Sequence, residues 1–194
     1  MAKERDDTVG PDGIFTAAPL AADETADGGG DEAGHRAHAA ADADAQRAIA
    51  ARTLNGLLAH CHDATYELAD CAEHAQNASV RALLWRLVEQ GRRDALEMRA
   101  AVRAFGAEPE EGGTAGGALQ RGWLTVRGTF GALSDAELLR DAERVQDKLV
   151  AACDASDAQP LPEAACLAIQ ALRASAQESR WRLRAPGESD GHPQ

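Results

Sequence analysis

Apolar residues recur at steps of three and four along four stretches between Gln46 and Ala185, and each stretch marks the buried stripe of an α-helix. In the first, about Gln46 to Ala75, the stripe is Leu54, Leu57, Leu58, Cys61, Ala64, Leu68, Ala72 and Ala75. Asn77 and Ser79 then mark a turn and offer N-cap chemistry to the second helix. That helix runs to about Phe105, with Val80, Leu83, Leu84, Leu87, Ala95, Met98, Val102 and Phe105 inward. Gly91 falls at the centre of its stripe, where a missing side chain lets a neighbouring helix come close. Gly106 and Pro109 stop the helix, with Gly just past the end and Pro beyond it.

Ser134-Asp135-Ala136-Glu137 opens the third helix as a capping box, and Leu138, Ala142, Val145, Leu149 and Ala152 or Cys153 carry its stripe to about Ser156. The fourth begins at Pro160 to Glu163, since proline is tolerated in a first turn, and buries Ala165, Ile169, Leu172, Ala176, Ser179 and Leu183. No segment alternates with period two for long enough to be a strand. The spacing therefore predicts an all-α four-helix bundle over residues 46–185. Between the second and third helices lies a Gly-rich link, Glu111 to Gly117, with no Gly-Lys-Ser/Thr to make it a phosphate loop. A short helix over about Ala118–Phe130 follows, with Leu119, Trp123, Val126 and Phe130 on one face. It is expected to lie across the bundle as a lid. That spacing favours core packing for Trp123 over ligand stacking.

Composition changes the picture at the ends. Of 32 acids, eleven fall in residues 1–45 against only Lys3, Arg5 and Arg36, so most of the net charge of −12 belongs to this Ala/Asp/Gly-rich segment. It has too little apolar surface to offset chain entropy, so residues 1–45 are expected to be a disordered acidic tail, as is 186–194. The remaining 21 acids and 17 bases nearly balance. Nucleic-acid binding needs concentrated positive charge and is disfavoured. No apolar run is long enough for a membrane span and no secretory signal opens the chain, so a cytoplasmic location is expected. Cys61, Cys71, Cys153 and Cys166 sit among apolar neighbours without a Cys-x-x-Cys pair, and read as small buried hydrophobes.

Bundles of this shape often hold two metal ions on inward carboxylates and histidines. Here the inward polar positions are Thr65, Asp94, Gln146 and Ser179, with a single carboxylate and no histidine. Gln146, Thr65 or an arginine near the bundle end could satisfy Asp94. Glu73, Glu97 and Glu143 lie at stripe edges, suited to salt bridges along helix seams. His60, Asp63, Glu67, Asp70 and His74 share one face of the first helix, roughly 130–180° from its apolar stripe at 100° per residue, so that face should look at solvent. Arg81, Arg86, Arg92, Arg93, Arg99 and Arg103 take the outer side of the second helix, where ordinary surface pairing is expected. No Gly-x-Ser-x-Gly elbow supports a nucleophilic triad.

Leu54-Asn55-Gly56-Leu57-Leu58, then Cys61, Asp63, Tyr66 and Ala72-Glu73-His74, together with Phe105-Gly106, Pro109-Glu110 and Gly117-Ala118-Leu119-Gln120-Arg121-Gly122-Trp123, resembles a bacterial family of ferritin-like four-helix bundles known as a domain of unknown function. The resemblance covers about residues 50–184. It implies the bundle fold and a structural role for Arg121, Gly122 and Trp123. Departures fall where the family tends to carry acids or histidines: Thr65, Gln120, Gln146 and Ser175-Ala176-Gln177-Glu178 stand there instead. Glu73, Glu97, Glu143 and Trp123 are retained.

Three readings follow. The first is a non-enzymatic bundle with a structural, stress-related or partner-binding role, as a homo-oligomer or with a protein partner, with no catalytic residues and no cofactor. The second is a carboxylate-bridged iron or manganese protein, an oxidase or metal store with a degraded ligand set, whose weak candidate ligands are Glu73, Asp94, Glu97 and Glu143. The third is a small-molecule binder beneath the lid helix.

Overall fold

A computed structural model describes residues 29–114 and 133–184. The chain divides into two units, Met1–His38 and Ala39–Gln194; of the first, the described residues 29–38 are helical. The helices are α1 (Gly29–His74), α2 (Ala78–Ala104), α3 (Asp135–Ser156) and α4 (Glu163–Arg184), and the described residues include no strand. The expected lid helix, with Arg121, Gly122 and Trp123, lies outside the described residues, as do residues 1–28 and 185–194.

Each helix ends as its sequence dictates. The Asn77 side chain accepts from the amides of Ser79 and Val80, at 2.8 and 3.3 Å, and opens α2. Phe105 caps its C-terminus and Gly106 follows at φ +80°, a conformation glycine adopts without strain. Ser134 and Glu137 form the expected capping box of α3. One expectation is corrected. The first helix does not begin at Gln46 but extends back to Gly29. Alanine dominates residues 37–45, and a helix already nucleated by packing propagates cheaply through the best helix former. Those residues gain no burial, being almost all exposed.

Contacts between the helix ends fix the topology. The amides of Gln76 and Asn77 donate to Asp135 at 2.8 and 2.9 Å, so α3 starts beside the α1–α2 turn. Thr53 donates to Gln159 at 2.8 Å, so the α3–α4 turn lies at the other end, beside the middle of α1. α3 is therefore antiparallel to α1 and parallel to α2. The end of α2 and the start of α3 thus lie at opposite ends of the bundle.

The core is aliphatic. Leu54, Leu58 and Leu68 of α1 meet Leu84, Leu87 and Met98 of α2, Leu138 and Cys153 of α3, and Ile169 of α4, all below 2% exposed or at that value. Gly91 brings α2 close to α1 as its place in the stripe anticipates: a Cβ there would stand 2.8 Å from Thr65 Oγ1. Arginines bind α4 to α3. Arg173 reaches the Cys153 carbonyl, Asp154 and Asp157 at the C-terminus of α3, where positive charge is favoured; Arg180 pairs with Asp147 and Arg184 with Glu143.

Candidate functional site

The polar face of α1 is not a solvated one, and this is the main departure from the sequence reading. Asp63 and Glu67, expected in water, are each only 6% exposed. The chain leaving α2 runs along the back of α1. Asn55 donates to the Glu108 carbonyl at 3.1 Å and accepts from the Glu110 amide at 3.0 Å, and Pro109 is buried between them. Further along, Asp63 Oδ2 accepts from both the amide and the hydroxyl of Thr114, at 2.8 and 2.6 Å. These bonds satisfy side chains that burial would otherwise penalise. His60 and Asp70 are half-buried and His74 is exposed, so only part of the stripe meets solvent as expected.

Beside this strap, α1 and α3 part to form a groove of about 520 Å³. Its floor is apolar, with Ala64 from α1 facing Val145, Leu149 and Ala152 from α3. Its rim is polar: His60, Asp63 and Glu67 on one side, Lys148 on the other, and Thr114 at the lip. Lys148 Nζ stands 3.7 Å from Glu67 Oε2, spanning the groove at that level. An apolar floor with a few convergent polar groups, at this volume, is the composition of small-molecule sites. Of these residues the sequence singles out His60, Asp63 and Glu67, and it assigns all three to solvent.

The bundle centre is built differently. Asp94, Gln146 and Ser179 are buried as expected, and Thr65 is half-buried with its hydroxyl donating to the Cys61 carbonyl at 2.8 Å. Asp94 is not satisfied by Gln146, Thr65 or an arginine. It accepts from Gln90 at 2.9 Å and from Ser175 of α4 at 2.8 and 3.0 Å. Burial raises its carboxyl above the ordinary 3.8; the two hydrogen bonds oppose that shift without cancelling it. Asp63 and Glu67 are buried as well, but on the face of α1 opposite its apolar stripe and not at the bundle centre. The cysteines are free thiols, three buried and Cys166 half-buried. Burial pushes Cys71 up to about 12 and Cys153 to about 11, and raises Cys61 further still, which keeps all three as inert thiols at neutral pH.

The four weak metal candidates do not converge. Glu73 and Glu97 are exposed, Glu143 pairs with Arg184, and Asp94 alone lies in the core. Among the described residues no three His, Cys, Asp or Glu side chains are grouped so as to hold a metal ion. Arg81, Arg86, Arg92, Arg93 and Arg103 are exposed on the outer side of α2. Arg92 pairs with Glu89, and the half-buried Arg99 with Glu111. Among the described residues no helix is long and apolar enough to cross a membrane.

Compared with known proteins, residues 50–156 match a family model described as Domain of unknown function (DUF2383). That span takes in the core half of α1, all of α2 and α3, and every residue of the groove, and stops short of α4. No curated protein and no solved structure matches the chain.

Proposed function

Since the chain belongs to this family of unknown function, its match covering more than half the sequence, we propose from the geometry that it is a non-enzymatic, ferritin-like four-helix bundle that works by binding. The observation that carries this reading is the α1–α3 groove: an apolar floor, a rim bearing both signs of charge, and a volume of about 520 Å³. Such a surface suits a small amphiphilic molecule whose apolar part lies on Val145 and Leu149 while its polar end meets the rim. Thr114, held by Asp63, stands on the groove's lip. Dispersal of Glu73, Asp94, Glu97 and Glu143 supports binding over carboxylate-metal chemistry. Protein contacts, including those with a second copy, would fall on Leu167 and Trp181, exposed on one side of α4 two heptads apart.

Thermal shift of the full chain against a panel of amphiphilic metabolites tests the groove. A ligand present far above its Kd should raise the melting temperature by several degrees. Ala151→Trp, which places an indole at the exposed lip, should abolish the rise. A panel without effect, or a rise that survives Ala151→Trp, would count against the groove as the site.

A further inference from the structure

At the centre of the bundle, Gly91 and the buried side chains of Asp94, Gln146 and Ser179 line a small cavity of about 10 Å³. Its polar lining groups come one each from α2, α3 and α4, and the rest of the lining is the Cys61 side chain and apolar groups. Asp94 spends part of its acceptor capacity on Gln90 and Ser175, and a carboxylate has about four acceptor sites, so it can take more. Gln146 is 4% exposed and Ser179 5%, and neither side chain hydrogen-bonds to a described residue. Buried amides and hydroxyls are costly without a partner, and groups of this kind are commonly satisfied by an internal water. A water needs about 10–15 Å³ of such volume and two to four polar partners. The cavity offers both.

We infer that the bundle centre is a binding site for one water molecule, held by Asp94, Gln146 and Ser179. The water donates to an Asp94 oxygen and to the Gln146 carbonyl oxygen, and accepts the Ser179 hydroxyl proton. The site thereby ties three helices at one level, the level at which Gly91 draws α1 in through Thr65. A hard divalent cation would require six or more oxygen ligands, its own waters included. This volume and a single carboxylate suit water instead.

A high-resolution crystal structure of the full chain tests the inference. One density peak is expected within about 2.6–3.2 Å of Asp94, Gln146 and Ser179 oxygens, the range of hydrogen bonds. Gln146→Leu should eliminate it. Should that variant fail to fold, Ser179→Val, which fills the cavity from α4, should give the same loss. In solution, long-lived water cross-peaks to the Gly91 and Gln146 amides should be present in the parent and absent in the variant. No peak in the parent, or one with contacts of about 2.0–2.4 Å from an oxygen cage, the distances of a metal ion, would overturn the inference.

Discussion

Gly91 of α2 lies so close to Thr65 of α1 that any side chain at residue 91 must displace the Thr65 hydroxyl, which would stand 2.8 Å from its Cβ. The hydroxyl is held by the Cys61 carbonyl. Gly91→Ala therefore sets a steric cost of about 1–3 kcal/mol against a helix-propensity gain of about 1 kcal/mol, and the net effect is expected to be destabilising. With Thr65→Ala already present the obstacle is gone, and the same change should stabilise. Urea unfolding of the four-member cycle decides it, and an equal effect in both backgrounds would show that the two residues do not meet.

Asp94 gives a pH dependence of defined sign. Its carboxyl is raised by burial above 3.8, so in the window just above that value the folded chain keeps a proton that the unfolded chain releases. Stability should then fall as pH rises through the window, opposite to the usual paired carboxylate. Asp94→Asn should remove this part of the slope, read from unfolding midpoints across acid pH. An unchanged slope would mean that Asp94 does not titrate in the core.

The strap along α1 depends on two side chains. Asp63→Ala removes both bonds to Thr114, and Asn55→Ala frees Glu108 and Glu110. Each should cost about 1–3 kcal/mol. Both should speed hydrogen exchange and proteolysis across residues 107–114 while the helices stay protected. Exchange unaltered in that segment would contradict the strap.

Leu87→Ala and Leu149→Ala should each lose about 2–5 kcal/mol, since both are buried in the shared core. Leu96→Ala, at a residue 65% exposed, should change stability by no more than about 0.5 kcal/mol. Thermal and denaturant unfolding of the three variants checks the ordering.

Thiol labelling separates the cysteines. Cys166 should react first in the native protein, and Cys61, Cys71 and Cys153 only on unfolding, because burial both shields them and disfavours their thiolates.

The helical stripes, the caps at Asn77 and Ser134, and the close approach at Gly91 were legible because they are local: periodicity and capping chemistry show in neighbouring residues. Asp63 and Glu67 were not. A helical wheel assigns the side opposite the apolar stripe to water, and here Asp63 on that side is covered by the non-helical chain at Thr114, while Glu67 faces Lys148 of α3 across the groove. The signal available was local to the exit from α2, where Pro109 sends the chain to Thr114 along α1. Asp94 shows the same limit. Gln90, four residues earlier, was within reach of helix geometry. Ser175 was not, as it comes from α4 at the edge of a stripe whose rotation only packing fixes.

Elemental analysis of the purified full-length chain tests the central claim most directly, which is that the interior is a closed core and the working surface is the groove outside it. Iron and manganese are expected far below one equivalent per chain, with no change on Asp94→Ala or Glu97→Ala. Near-stoichiometric metal that disappears with those substitutions would contradict the account and make the bundle a metal protein.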